Sequence, residues 1–188
     1  MSDNRFDEEE LQIIAAAKKG EAKAQKEIFE RYASPMMSVC YRYVGSTETA
    51  KDLLQDGFIK LYTKIDTYSG LGSFSGWVRR IFVTTCLEYL RQKDALKFSA
   101  TVDDYENRLP EDGHTVMDKI SADDLLKLIS TLAEGYRTVF NLYAIEGYSH
   151  AEIASILGVT EVTSRTQFLR ARVILQNAVR QMENDERR

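Results

Sequence analysis

The side chains best suited to contact another molecule form one stripe on a predicted helix near the C-terminus. The stripe consists of Arg165, Thr166, Leu169 and Arg170. Their spacing places them on one side of a helix, away from its apolar positions. An arginine facing a major groove can donate two hydrogen bonds to one guanine edge. The pattern therefore predicts a surface that reads DNA.

The neighbouring sequence predicts a helix-turn-helix that would hold this stripe. Ser149 and Glu152 have the spacing of a capping box, so a first helix should begin there. Gly158 suits the left-handed turn that ends it, and Thr160 can cap the second helix. The apolar face of the second helix comprises Phe168, Ala171, Leu175 and Ala178. An ordinary helical hairpin with a solvated basic face is the alternative that these residues leave open.

A second group of candidates surrounds the glycine-rich segment from Tyr68 to Trp77. A dinucleotide-binding loop would need a preceding strand, whereas a helical pattern precedes this segment. An extruded base could instead stack on an aromatic ring while Arg79 and Arg80 hold the backbone. The alternative is a loop that caps the core with Phe74 and Trp77 buried, and for Trp77 this is at least as good an interpretation.

Four amphipathic helical patterns fill the N-terminal half. They begin near Asp7, just before Ile28, near Thr47 and near Ser75. Pro35 should bend the second helix, because an interior proline removes a backbone donor. The third helix, expected to end near Ile65, has an apolar face and an opposite face of mixed character. That opposite face comprises Asp52, Gln55, Asp56, Ile59 and Lys60.

The segment 94–121 interrupts the helical patterns. It contains seven acidic and three basic residues, together with Pro110 and Gly113. Such a polar segment has too few apolar residues to form a core. The sequence therefore predicts an all-α protein with two small helical domains, 1–93 and 122–188, joined by an acidic flexible linker, 94–121.

Composition limits the classes of function. The 188 residues are 44% apolar and 29% charged, which is typical of a globular protein. We find neither a membrane-span-length apolar run nor a signal peptide, so we expect a cytoplasmic location. The cysteines and histidines are isolated, so we predict no metal site, cofactor or catalytic group. With a net charge of −4, the chain should bind DNA better within a larger assembly than alone.

Two separated sets of motifs resemble the extracytoplasmic-function (ECF) sigma factors of the sigma-70 family. Region 2 of that group is similar to Asp52-Leu-Leu-Gln-Asp-Gly-Phe-Ile-Lys-Leu-Tyr62, Phe74-Ser-Gly-Trp-Val-Arg-Arg-Ile81 and Glu88-Tyr-Leu-Arg91. Region 4 is similar to Leu132 through Leu175, including Tyr136-Arg-Thr-Val-Phe140 and Glu146-Gly-Tyr-Ser-His-Ala-Glu-Ile-Ala154. The resemblance implies an alternative sigma factor that binds core RNA polymerase and directs promoter-specific transcription initiation.

The resemblance also implies roles for individual residues. Asp52, Gln55, Asp56, Ile59 and Lys60 would bind the clamp of the largest polymerase subunit. Tyr68, Ser73, Phe74, Trp77, Arg79, Arg80, Glu88 and Arg91 would contact the −10 element, with a flipped base held by the loop from Tyr68 to Phe74. Arg165, Thr166, Leu169 and Arg170 would contact the −35 element. The flap of the second-largest subunit is a further expected contact, and the acidic linker would enter the polymerase cleft in imitation of nucleic acid.

Three residues depart from the family pattern. Thr84 replaces a usual asparagine, Ala133 a common proline, and Val162 a usual glycine at the start of the reading helix. Val162 could alter how closely that helix approaches DNA, so another DNA-bound partner could share promoter selection. An anti-sigma factor is an expected inhibitor. The alternative function is a stand-alone transcriptional regulator with an N-terminal helical sensing domain.

Overall fold

All regular secondary structure in the described part of the chain is helical. The computed structural model describes residues 3–92 and 121–186. The predicted all-α class is confirmed for these ranges. The chain divides into two compact units, Met1–Tyr89 and Leu90–Arg188. Residues 94–120 of the predicted linker lie outside the described residues, so the linker and the proposed domain limits stay predictions.

Four long helices build the first unit. They are α1 (Asp3–Lys18), α2 (Ala22–Val44), α3 (Thr47–Lys64) and α4 (Phe74–Gln92), with a 3₁₀ turn at Ile65–Thr67. The first helix begins earlier than the Asp7 cap that the sequence suggested. α2 continues as a helix through Pro35. Gly45 ends α2 with a φ of 69°, and the Ser46 hydroxyl caps α3 by accepting a hydrogen bond from the Thr49 amide.

The core of the first unit lies where α2, α3 and α4 present their apolar faces. Its largest fully buried side chains are Tyr43, Leu61, Phe74, Val78 and Phe82. Gly57 of α3 lies directly against the Phe82 ring of α4, so the absence of a side chain there permits a close approach of the two helices. Cys40 and Cys86 are buried free thiols, as expected for core residues.

The second unit contains a short helical hairpin followed by a helix-turn-helix. Its helices are α5 (Ala122–Thr131), α6 (Glu134–Phe140), α7 (His150–Leu157) and α8 (Glu161–Glu186). α6 continues into a single π-helical turn at Asn141–Ile145. The core of this unit includes Ile129, Leu132, Phe140, Ala171 and Leu175, and the ring of Phe168 packs against it. The apolar face predicted for the second helix of the motif therefore packs on α5 and α6.

The predicted caps of the helix-turn-helix are present. The Ser149 hydroxyl accepts from the Glu152 amide at 3.3 Å, and the Glu152 carboxylate accepts from the Ser149 amide at 2.8 Å. Gly158 ends α7 with a φ of 69°, and the Thr160 hydroxyl accepts from the Thr163 amide at 3.0 Å. These local bonds fix where α8 begins, and hence which residues occupy its first turn.

Candidate nucleic-acid and protein interfaces

The first turns of α8 present the predicted DNA-reading stripe with graded exposure. Arg165 and Leu169 are exposed, whereas Thr166 and Arg170 are half-buried. Arg170 donates a hydrogen bond from Nη1 to the Tyr136 hydroxyl at 3.3 Å, so part of its guanidinium is engaged within the second unit. Arg165 and Leu169 are therefore the members of the stripe best placed to meet an incoming duplex.

Arg165 forms an ion pair with Glu161, one helical turn earlier on α8. Both side chains are exposed, so the pair stabilises the helix by only about 0.3–0.5 kcal/mol. In the isolated protein Glu161 nevertheless accepts a hydrogen bond from Nη2 of Arg165. A two-bond contact to guanine that uses Nη2 would therefore have to replace this internal contact.

A histidine joins the two helices of the motif beneath the stripe. The Nδ1 atom of His150 lies 2.9 Å from the hydroxyl of the fully buried Ser164, and its ring stacks on Tyr143 with centroids 4.2 Å apart. Burial, and secondarily the positive charge of Arg165, lower the pKa of His150, while Glu161 partly opposes this shift. The neutral imidazole therefore holds α7 against α8.

The π-helical turn supplies a contact that sequence reasoning missed. It carries Tyr143, whose ring packs on both His150 and Phe168. A π turn is inserted where a helix needs one extra residue, and periodicity alone gives little sign of it. A cavity of about 590 Å³ opens beside this contact, lined by Tyr143, Gly147 to Glu152, Glu161 and Arg165.

The predicted partner-binding face of α3 lies opposite its apolar stripe. Asp52, Gln55, Asp56 and Ile59 are all exposed. Ile59 is 64% exposed, so most of this aliphatic side chain faces solvent. The surface thus combines an exposed aliphatic side chain with carboxylates on the two preceding turns, a composition suited to a protein-binding patch.

Lys60 does not extend freely from this face. Its Nζ atom donates to the Glu88 carboxylate of α4 at 2.6 Å. The family resemblance implies a protein contact for Lys60 and a DNA contact for Glu88. The ion pair places these two residues side by side, so the two predicted surfaces adjoin at this point.

The glycine-rich loop differs from the predicted stacking platform. Phe74 is only 1% exposed, and its ring contacts Tyr32, Tyr68 and Trp77. A base cannot stack on a ring enclosed in this way. The predicted stacking of a base on Phe74 is therefore not possible in this structure. Tyr68 is also buried and Trp77 is half-buried. The core-capping interpretation describes these aromatic residues better.

The exposed part of the loop is its apex. Leu71 is 87% exposed and lies between Gly70 and Gly72, whose φ angles are 80° and 79°. The Tyr68 hydroxyl donates to the Gly72 carbonyl at 2.8 Å, and the Lys18 ammonium donates to the Tyr68 carbonyl at 2.7 Å. The buried aromatic residues therefore support a tip that the sequence analysis passed over. The sequence feature that could have indicated this exposed tip is a leucine between two glycines.

The polar candidates around α4 have distinct environments. Ser73 caps the helix, because its hydroxyl accepts from the Gly76 amide at 3.2 Å. Arg80, Glu88 and Arg91 are exposed and Arg79 is half-buried. The hydroxyl of the exposed Thr84 donates a hydrogen bond to the Arg80 carbonyl of the same helix at 2.8 Å. In the free protein this hydroxyl is therefore already hydrogen-bonded within α4.

Two negative findings apply to the described ranges alone. Within residues 3–92 and 121–186, no cluster of three or more His, Cys, Asp or Glu side chains could hold a metal ion. No helix in the same ranges is long and apolar enough to cross a membrane.

Both units match models of one protein family. Residues 28–95 match Sigma-70 region 2, and residues 122–175 match Sigma-70, region 4. The ECF RNA polymerase sigma-E factor of Escherichia coli K12 is 29% identical over 177 residues, covering 89% of this chain and 92% of that protein. The ECF RNA polymerase sigma factor SigE of Mycolicibacterium smegmatis is 29% identical over 154 residues, covering 80% of this chain and 60% of that protein.

Two solved structures are also similar to this chain. The sigma factor RpoE of Bartonella quintana, in complex with the anti-sigma factor NepR, is 19% identical with a TM-score of 0.49, covering 82% of this chain and 96% of that chain. CnrH, in complex with the cytosolic domain of CnrY, is 19% identical with a TM-score of 0.47, covering 89% of this chain and 94% of that chain.

Proposed function

Because this chain belongs to the ECF group of the sigma-70 family, and so is an alternative sigma factor directing transcription by RNA polymerase, we propose how its surfaces divide that task. Residues 1–93 bind core polymerase and the −10 element, 94–121 form the connecting linker, and 122–188 bind the −35 element. The region 2 match contradicts the alternative of a sensing domain in the N-terminal half.

The exposed face of α3 is the proposed site for the polymerase clamp. The observation that carries this assignment is Ile59, an exposed aliphatic side chain on the same face of α3 as Asp56, one turn earlier, and Asp52, two turns earlier. Burial of such a side chain at the centre of an interface stabilises association, while the rim charges set orientation.

Substitution of this face tests the polymerase assignment. Ile59→Ala and Asp56→Arg should each weaken association with core polymerase without loss of helicity. Leu11→Ala is the matched control, because Leu11 is also an exposed aliphatic residue, 55% accessible, on a different helix. Unchanged association of both variants, measured by competition for core enzyme, would contradict the proposed face.

The apex of the glycine-rich loop is the proposed contact with the opened −10 strand. Its exposed tip, Leu71, offers an apolar surface to an unstacked base, and the buried rings of Tyr68 and Phe74 hold the loop in place. The exposed Arg80 and Arg91 of α4 supply positive charge for the phosphates of that strand.

This assignment separates promoter opening from polymerase binding. Leu71→Ser should leave polymerase association intact and reduce open complexes on duplex promoters, because a base is available only after it leaves the duplex. A pre-opened bubble template should restore part of the lost transcription. Ser69→Ala, at another exposed loop position, is the control. An equal defect of Leu71→Ser on both templates would contradict a role in strand opening.

The first turns of α8 are the proposed reader of the −35 element, with Arg165 as its principal hydrogen-bond donor. Arg165→Ala should remove about 1–3 kcal/mol of preference for the matched upstream element. Arg180→Ala is the control, because Arg180 is an exposed arginine four turns further along the same helix. Equal output of the unsubstituted protein from matched and scrambled upstream elements would show that α8 does not read sequence.

Three further assignments are proposals about partners and setting. The acidic linker occupies the polymerase cleft, and neutralisation of its acidic residues tests this by initiation assays on a fixed promoter. An anti-sigma factor holds the protein inactive by covering the α3 face, so it should compete with core polymerase. The protein acts in the cytoplasm. It catalyses no covalent bond formation itself, because the polymerase catalyses the synthesis of RNA.

A further inference from the structure

Val162 lies in the first turn of α8, at the start of its exposed face. Its spacing to Arg165, Thr166 and Leu169 is three, four and seven residues, which is one helical face. It is 71% exposed, more than Leu169 at 36%. The first residues of a recognition helix are those that approach base edges in the major groove. Val162 therefore occupies a reading position although it has no hydrogen-bonding group.

The position of Val162 is firmly fixed. The Thr160 cap sets the start of α8 through its bond to the Thr163 amide, and Ser164 anchors the same turn through His150. A β-branched side chain has one strongly preferred rotamer in a helix, so the two valine methyl groups point in a defined direction. In the free protein, valine at this position lowers the helix propensity of the first turn, and its exposed side chain contributes no burial that would compensate.

Only one base offers an apolar group in the major groove. Thymine carries a 5-methyl group there, whereas adenine, guanine and cytosine present donors and acceptors that valine would leave unpaired. Building on the proposed placement of region 4 on upstream DNA, we propose that Val162 selects a thymine in the −35 element by packing against its 5-methyl group.

The helix geometry gives the approximate position of this thymine. Val162 and Arg165 are three positions apart on α8, a rise of about 4.5 Å along the helix axis, so their side chains lie about one helical turn apart. The selected thymine should therefore lie close to the base pair that Arg165 reads.

Removal of the thymine methyl alone tests the inference. Holoenzyme assembled from core polymerase and the full chain is bound to promoter duplexes in which each −35 thymine, one at a time, is replaced by deoxyuridine. For the unsubstituted protein one position should lose about fourfold in affinity, the factor expected for one buried methyl group. With Val162→Ala the loss at that position should fall well below fourfold, because both valine methyl groups are gone and only the alanine Cβ remains.

Two controls make the result specific to Val162. Ile174→Ala removes an aliphatic group that is 42% exposed, about three turns beyond Val162 on α8, and should keep the deoxyuridine effect. Val162→Thr preserves side-chain shape but replaces one methyl group with a hydroxyl, and should show a reduced effect.

Different failures have different meanings. If a scrambled −35 element weakens binding but no deoxyuridine does, or if Val162→Ala keeps the full deoxyuridine effect, the Val162 inference is overturned while the placement of region 4 stands. If scrambling the −35 element has no effect, the placement of region 4 is overturned and the inference with it.

Discussion

Gly57→Ala should destabilise the first unit, although the same change stabilises most helices. An alanine Cβ at this position would lie 2.5 Å from Cδ1 and 2.8 Å from Cζ of the Phe82 ring. Phe82 is completely buried and packs edge-on against Phe58, with ring centroids 5.1 Å apart, so its ring has no free space to enter. The added methyl group must therefore separate α3 from α4.

The expected magnitude follows from two opposing terms. Replacing glycine with alanine in a helix contributes about 1 kcal/mol in favour of folding. Overpacking a filled core costs about 1–3 kcal/mol, and the measured cost should be at the high end because aromatic rings enclose the site. We expect a net loss of about 1–2 kcal/mol, which lowers the melting temperature of a unit of this size by roughly 5–15 °C.

The protein contains one tryptophan, and it reports on the correct unit. Trp77 lies in α4 and stacks on Phe74, with ring centroids 5.6 Å apart, so its fluorescence follows unfolding of the first unit. Phe82→Leu should relieve the overlap, so the double variant should be more stable than the sum of the two single changes predicts. Simple additivity, or a stabilised Gly57→Ala variant, would refute the proposed steric conflict.

Three further outcomes concern the second unit. Ser149→Ala should cost about 1 kcal/mol by removing the capping box of α7, as amide exchange in that helix would measure, and unchanged protection would show that the cap is dispensable. Glu161→Gln should raise holoenzyme affinity for upstream DNA, and more for the matched than for the scrambled element. The change removes a charge that repels phosphate on both, and it releases Arg165 for base contacts that only the matched element offers; unchanged or reduced affinity for both would contradict this. Burial lowers the pKa of His150 in the folded protein. The stabilising contribution of His150 is therefore present above the unfolded pKa of about 6.5 and is lost as pH falls through the folded pKa. Acid should consequently destabilise the second unit of His150→Gln less than that of the unsubstituted protein.

Local sequence determined the helix-turn-helix. The capping box joins residues three apart, the Gly158 turn depends on one backbone conformation, and the Thr160 cap again spans three residues. Each of these interactions is completed within about one helical turn, so residue type and spacing are sufficient to predict it. For the same reason, the sequence alone separated the apolar face of α8 from the face that carries Arg165.

Only the tertiary structure decided which candidate side chains are available to a partner. Phe74 is enclosed partly by Tyr32, which is 42 positions away in the sequence, and Lys60 is paired with Glu88, 28 positions away. An aromatic residue beside glycines has the same local pattern whether it caps a core or receives a base. Its exposure depends on which distant helix packs over it, and that information lies in the contacts between helices and not in the spacing along any one of them.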